Sequence, residues 1–382
     1  MTIELLFFLS LFGSAYSYFL YPILLIILPK KNNDNRSAYD VESTELPSIT
    51  FIITAFNEEK HIDQKLLNTL EADYPTNKKE ILVASDGSTD DTNNIVTRYK
   101  DQNITLIDVP DRKGKENAQF HAIAKASGEI LVFSDVTTRI EPNALHVIAN
   151  AFINEKIGAV SSEDRFLSDD GSIAGEGAYV KYEMWLRKLE SQVNSLIGLS
   201  GSFFAARKSV CLKWDITIPS DFNTALNCID EKLVAITEPN LLGFYPNIKD
   251  ETKEYSRKLR TVIRGMAALY RKAHILNPLK YGLFSIQLFS HKLMRWLVPW
   301  FMLSTLVLNI LLLNQHILYV VILLLQFIFY AIVLTGYYSP TLRNINLIKI
   351  PYFFMQVNIA IAHASILFIM GKRITKWTPS KR

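Results

Sequence analysis

Residues 81–91, Ile81-Leu82-Val83-Ala84-Ser85-Asp86-Gly87-Ser88-Thr89-Asp90-Asp91, decide the fold of this chain. The apolar run reads as a buried parallel strand. It runs straight into a carboxylate, a glycine and a cluster of hydroxyls that opens a helix. An α/β sheet binds nucleotides at that kind of place, just beyond the carboxyl ends of its strands. Phe133-Ser134-Asp135 repeats the strand-then-aspartate arrangement further along.

Working outward, strands and helices alternate. Ile49–Thr54 is a short β-branched run, followed by Asn57-Glu58-Glu59 and a helix with apolar positions at Ile62, Leu66, Leu67 and Leu70. Tyr74-Pro75 ends that helix. Glu80–Ala84, Ile104–Val109 and Ile130–Phe133 read as strands, with Thr92–Tyr99 and Lys115–Ala126 as the helices between them. Gly158–Ser161 and Ser200–Ala206 read as further strands, and Gly175–Val193 as largely helical. Such alternation predicts an α/β, Rossmann-like sheet with right-handed crossovers.

A chain of 382 residues exceeds one average domain. The excess lies in apolar runs of membrane-crossing length: Leu5–Leu28, Leu297–Leu313, Ile317–Gly336 and Ile350–Met370. The first is read as an anchor and not a signal peptide, because no Lys or Arg precedes it, no Ala-x-Ala site follows it and its core is too long. The expected organisation is an anchor at 1–29, a linker at 30–48, the α/β domain at 49–250, basic amphipathic segments at 251–296, spans at 297–371 and a basic tail at 372–382. Lys30 and Lys31 after the first span, with Lys292 and Arg295 before the second, put the α/β domain in the cytoplasm. Three late spans would leave the basic tail outside, against the positive-inside rule, so one late segment is expected to be interfacial unless the rule is broken. Ile350–Met370, carrying Gln356, Asn358 and His363, is the weakest spanner. Trp296 and Trp300 suit an interfacial belt. Cys211 and Cys228 fit a reducing cytoplasm and form no metal-ligand spacing. Net charge is only +4, with a local basic run from Lys253 to Lys272, and no nucleic-acid partner is expected. That run reads equally as a solvated or headgroup-facing helix and as a diphosphate site.

The polar constellations each have a plain reading beside the chemical one. Thr54-Ala55-Phe56-Asn57-Glu58-Glu59 alone favours a helix cap. Asp86 precedes any cap, at the strand's end, where its carboxylate can accept from a base or a ribose hydroxyl. Asp111-Arg112-Lys113-Gly114-Lys115 is a surface loop or a phosphate-attracting turn ahead of a helix. Asp135 is placed to hold a divalent cation bound to a diphosphate, since Mg2+ or Mn2+ wants one or two carboxylates plus phosphate oxygens. Ser220-Asp221-Phe222 is an ordinary turn unless Asp221 folds back as a general base.

Taken in order, these segments resemble family 2 glycosyltransferases of the GT-A fold, membrane-anchored and inverting. The resemblance runs from about Ile49 to Arg264. Thr54–Glu59 and Ser85–Asp91 look like the family's two nucleotide-binding strand ends, and Arg112-Lys113-Gly114-Lys115 like its basic turn. Phe133-Ser134-Asp135 occupies the place of the metal-binding Asp-x-Asp, Ser200-Gly201-Ser202-Phe203 resembles the acceptor-side loop, and Ser220-Asp221-Phe222 sits where the family has Glu-Asp. Arg257-Lys258-Leu259-Arg260-Thr261 lies where processive synthases have Gln-x-x-Arg-Trp. The chain departs from the pattern at Thr137, which replaces the second Asp, and at Arg257 and Thr261, which replace Gln and Trp.

The resemblance implies a nucleotide diphosphate sugar donor, most often a UDP-sugar, and Mg2+ or Mn2+ on Asp135. It places Thr54, Phe56, Glu58, Asp86, Lys115, Asp135, Arg260 and Arg264 on the donor side, Gly201 and Ser202 on the acceptor side, and Asp221 as catalytic base. The expected activity is hexosyl or N-acetylhexosaminyl transfer in polysaccharide biosynthesis at the inner membrane. The acceptor would be lipid-linked or a growing polysaccharide, with room for partner subunits of a polysaccharide export system. A non-catalytic nucleotide-sugar sensor or partner subunit is the alternative. A sugar nucleotidyltransferase or a dinucleotide dehydrogenase would need a glycine-rich turn after the first strand, and Thr54–Glu59 has no glycine.

Overall fold

The computed structural model describes residues 2–31, 45–167, 178–246 and 251–374. Most of the expected linker and the lysines and arginine that end the basic tail lie outside them. The chain divides into an α/β unit, drawn from 29–249 and 267–275, and a helical unit made of Met1–Leu28, Asp250–Met266 and Leu276–Arg373.

The α/β unit is built on an 8-stranded sheet. In chain order its elements are β1 (Ile49–Ala55), α1 (Ile62–Leu70), β2 (Lys79–Asp86), α2 (Thr92–Thr97), β3 (Ile104–Val109), α3 (Lys115–Lys125), β4 (Ile130–Asp135), β5 (Arg139–Ile140), α4 (Ala144–Ala151), β6 (Ile157–Leu167), α5 (Ala178–Val193), β7 (Phe203–Arg207), α6 (Ser220–Asp230) and β8 (Val234–Pro246). Strand order is β3-β2-β1-β4-β7-β6-β8-β5. The first four strands pair in parallel, as the alternation predicts. Beyond β4 the sheet turns mixed, with β7 antiparallel to both β4 and β6. The register matters for function: Thr54 lies beside Asp135 and Ala55 beside Ser85. The carboxyl ends of β1, β2 and β4 therefore open side by side.

Residues of β1 alternate between two cores, as a strand buried on both faces must. Phe51 and Ile53 pack in one core with Ile62 and Leu66 of α1 and Leu145 and Ile148 of α4. Ile52 packs in the other with Ala118 and Ala122 of α3 and Trp214. The α1 face differs from the expected one. Leu67 is 47% exposed, and Lys65 takes a buried position instead. The strand expected at Ser200–Ala206 begins only at Phe203, because Ser200–Ser202 forms a loop held by side chains. The expected helix from Gly175 is described from Ala178 onward.

Among the described residues of the helical unit, 4 helices are long and apolar enough to cross a membrane: Thr2–Ile27, Leu283–Leu312, Ile317–Tyr338 and Asn346–Ile369. The second starts well before the expected Leu297. Sequence hydropathy is interrupted there by Ser285, Gln287, Ser290, His291 and Arg295, all of which are buried within the unit. Tyr16 and Ser290 hydrogen bond through their hydroxyls at 2.9 Å, and Asn309 donates to Gln326 at 3.3 Å. Such pairing is how polar groups are tolerated between spanning helices. Trp296, expected in an interfacial belt, is buried within the unit: its ring lies so close to Gly265 that a Cβ there would meet it at 3.1 Å.

Phe133 is the packing centre on the α3 side, 1% exposed and stacked against Phe204 and Trp214 with ring centroids 4.7 and 5.1 Å away. Phe133→Ala should cost about 3–5 kcal/mol, the usual range for a fully buried aromatic. The check is a lowered melting temperature, with Phe133→Leu losing less.

Candidate active site

The site assembles from loops that the sheet sets at one edge. Asp86 closes β2 with its side chain almost fully buried. Its Oδ1 accepts from the backbone N–H groups of Lys113 and Gly114 at 3.0 and 3.1 Å, and its Oδ2 accepts from Gly114 at 2.9 Å. Gly114 holds a φ of 113°, open to glycine alone, and directly precedes α3. The carboxylate thus fixes where α3 begins. Gly87 is constrained as well: at φ 69° a Cβ would lie 3.0 Å from the Pro110 carbonyl oxygen.

Lys115, the first residue of α3, then reaches across the sheet ends. Its Nζ donates to Asp135 Oδ1 at 2.5 Å and to the Gly201 carbonyl at 2.8 Å. Asp135 N–H in turn donates to Ser202 O at 3.0 Å. Gly201 has no side chain where one would stand 3.4 Å from Asp221 Oδ2. Asp86, Lys115, Asp135, Gly201, Ser202 and Asp221 therefore form one connected line in the α/β unit, on a common edge and not on separate surfaces. Asp221 lies in the first turn of α6, and its carboxylate accepts no hydrogen bond from the described residues.

Thr54 is buried in register with Asp135 on the neighbouring strand, and its hydroxyl is unpartnered among the described residues. Phe56 lies under the Arg112 guanidinium, 3.7 Å from ring centroid to Cζ. Glu58 is anchored by its backbone N–H, which donates to Thr92 Oγ1 at 2.8 Å. Asn57 overturns the plain capping reading of its loop. With φ at 52° it does not cap α1; its Oδ1 accepts from Thr89 N–H at 2.8 Å, and its own N–H donates to Ser88 Oγ at 3.1 Å. The loops after β1 and β2 are thereby tied to each other. Arg260 and Arg264 fall in the helical unit, on α7 (Glu251–Arg271). Part of the basic run has other work. Lys258 stacks on Phe353 at 3.7 Å within the helical unit. In the α/β unit Arg271 pairs with Asp215 at 3.0 Å, and Lys272 with Asp230 at 3.0 Å.

Two groups of residues escaped sequence reasoning. Lys65, on α1, donates to Ser134 Oγ at 2.7 Å and to the Thr138 carbonyl at 2.5 Å. Burial drives its amine down to about 7, against the pull of the Asp135 charge. The available signal was its place at helical spacing between Ile62 and Thr69 on the buried stripe. A cavity of about 120 Å³ on that side of the turn is lined by His61, Gln64, Lys65, Thr137, Thr138 and Arg139 among others. The second group holds the Ser200–Ser202 loop. Ser200 Oγ donates to Asp164 Oδ1 at 2.6 Å, Ser200 N–H donates to Ser161 Oγ at 2.8 Å, and Arg187 reaches both Asp164 and Ser161. Burial pushes the Asp164 carboxyl up, and Arg187 opposes it. Nothing in local spacing signals this network.

As for a cation, no group of three or more His, Cys, Asp or Glu side chains is gathered among the described residues. Asp135 has one carboxylate oxygen on Lys115 and its side chain is 22% exposed, while Thr137 lacks a carboxylate. One carboxylate suits a cation that arrives on a diphosphate, since hard cations keep phosphate and water oxygens as their other ligands.

Comparison with known proteins bears on the family and the fold. Residues 50–213 match the family model for glycosyl transferase family 2. Poly-beta-1,6-N-acetyl-D-glucosamine synthase of Staphylococcus aureus (strain COL) is 28% identical over 211 residues, covering 53% of this chain and 48% of that protein. The synthase of the same name from Staphylococcus epidermidis is 28% identical over 203 residues, covering 52% and 46%. The chain spans about half the length of these curated relatives. Among solved structures, the mannosyltransferase PcManGT from Pyrobaculum calidifontis, in complex with GDP-Man and Mn2+, superposes with a TM-score of 0.70 over 97% of this chain and 100% of that one, at 19% identity. That likeness is one of fold. Sheet order and sequence match agree: residues 50–213 form a glycosyl transferase family 2 domain on a GT-A fold.

Proposed function

We propose that this protein is an inverting glycosyltransferase that moves a sugar from a nucleotide diphosphate sugar, in the first instance a UDP-sugar, to a lipid-linked or polysaccharide acceptor at the membrane. The observation that carries this is the Lys115 amine, held between Asp135 and Gly201, with the Asp221 carboxylate, which accepts no hydrogen bond from the described residues, beside Gly201. A donor-side charge pair and an acceptor-side base thus share one edge of the sheet.

Each residue then has a task. Phe56, Glu58 and Asp86 would hold the base and ribose. Asp86 acts partly through Gly114, by setting the start of α3, whose N-terminal end and Lys115 attract the phosphates. Asp135 is the residue to hold Mg2+ or Mn2+ on the diphosphate, where the cation would offset charge growing on the leaving group. The manganese in the archaeal mannosyltransferase belongs to that protein; here the proposal rests on Asp135, whose side chain is 22% exposed. Arg260 and Arg264 stay candidates for further cationic support, by family resemblance. Asp221 takes the acceptor hydroxyl's proton as that oxygen attacks the anomeric carbon. One displacement inverts the centre, and the diphosphate leaves with the bonding electrons. Gly201 and Ser202 shape the approach of the acceptor.

The 4 membrane-length helices support a membrane-proximal acceptor, and the basic flanks support a cytoplasmic catalytic domain. The two staphylococcal relatives bear the name of a polysaccharide synthase, which supports a hexosaminyl unit and a polymer product here. With Arg257 and Thr261 at the Gln and Trp positions, processivity is the open part of the proposal, and product sizing decides it.

Two outcomes check the reading. Asp221→Asn should lower the transfer rate by about 100-fold or more, the range for a lost general base, while nucleotide binding changes little. Transfer of labelled sugar and equilibrium binding of UDP, measured on the same preparation, separate the two; full activity would remove Asp221 from the base role. Chelation with EDTA should abolish transfer, and Mn2+ or Mg2+ should restore it in the parent protein but not in Asp135→Ala.

A further inference from the structure

Lys65 has no task in that chemistry, yet the fold accepts an expensive arrangement to keep it. Its side chain sits on the buried stripe of α1 with Ile62, Leu66 and Thr69 and is 2% exposed. An amine at that depth loses its hydration, and lysines are rarely found fully buried. Its two acceptors, Ser134 Oγ and the Thr138 carbonyl, bracket the turn that presents Asp135. Thr138 N–H closes that turn on Asp135 O at 3.1 Å. Asn68, three residues on along α1, donates to Ile140 O at 3.0 Å and accepts from Ile140 N–H at 2.9 Å, so the same helix also holds the chain as it leaves the turn. The helices carrying Lys65 and Lys115 pack on opposite faces of the sheet. Asp135 therefore stands between two amines, one from each face.

We propose that Lys65 is a positioning residue for Asp135: by holding both ends of the Ser134–Thr138 turn from the face opposite Lys115, it sets the direction in which the Asp135 carboxylate meets the cation on a nucleotide diphosphate. The proposal rests on the donor-binding reading above. Without this hold the turn is free to shift, and with it the Asp135 carboxylate, whose hydrogen-bond partner among the described residues is Lys115 on the other face. With a single carboxylate in the motif, because position 137 is threonine, the direction of that one carboxylate decides whether the cation is bound.

The test uses the full chain in lipid nanodiscs, with Mn2+ as the probe and its free signal followed by electron paramagnetic resonance in the presence of UDP. Lys65→Met keeps the length of the side chain and removes both hydrogen bonds. Its Mn2+ half-saturation should rise about tenfold, the lower end for a lost supporting contact at a metal site. UDP binding in EDTA should stay within about twofold, since no group of the Asp86–Gly114 grip is touched. Ser134→Ala, which deletes one acceptor, should shift Mn2+ in the same direction by less, and it answers the question should Lys65→Met not fold. An unchanged Mn2+ half-saturation in the folded variants, even with a lowered melting temperature, would show that the amine only fills the core and would overturn the proposal alone. Failure of the parent protein to bind Mn2+ with UDP would overturn the donor reading and this inference together.

Discussion

One ammonium group connects the parts of this domain. Lys115 joins the start of α3, the end of β4 and the loop before β7 by donating to Asp135 and to the Gly201 carbonyl. Its side chain is 9% exposed and that of Asp135 22%, so water screens the pair weakly. Breaking such a pair by deleting one partner typically costs about 3–5 kcal/mol, because the other charge is left uncompensated. The geometry of the site depends on this bridge. Asp221 stands next to Gly201, and Ser202 receives the Asp135 N–H, so a shift at Lys115 is felt on the donor and acceptor sides together.

The sheet explains why the bridge can form. The parallel half sets the ends of β1, β2 and β4 in register, and β4 is also the strand at which the sheet turns mixed. β4 thus has a nucleotide-type strand end on one side and the Ser200–Ser202 loop leading into β7 on the other. Asp86 adds the second constraint. By accepting from Lys113 and Gly114 it fixes the first turn of α3, and with it the reach of Lys115.

Around this line lies a shell of buried polar groups that a core built only for stability would omit. Lys65 grips the Asp135 turn, and Asp164 with Arg187 grips the Ser200 loop. Buried ionic groups of this kind seldom raise net stability over apolar packing, and removing one partner is severe. Their placement, one under the donor side and one under the acceptor side, matches the need to hold each loop in one geometry. The threonine at 137 sharpens that need, since the motif keeps a single carboxylate.

Local pattern alone determined the strand–helix alternation, the two strand-end aspartates, the basic turn before α3 and the apolar segments of membrane length. Each is written within a few consecutive residues, where hydrophobic period and turn chemistry act. Local pattern also led to errors with a common cause. Leu67 matched the period as well as Lys65 but faces solvent, Asn57 looked like a cap but ties two loops, and Trp296 looked like an interfacial anchor but packs on Gly265. Periodicity tells which face of an element is buried and says nothing about what it is buried against. The order β4-β7-β6, the Lys65 staple, the Asp164–Arg187 network and the Lys115 bridge from Asp135 to Gly201, beside Asp221, all join residues far apart in the chain. Only the tertiary structure decides those pairings, because a buried charge or hydroxyl is stable where its partner happens to be delivered by another element.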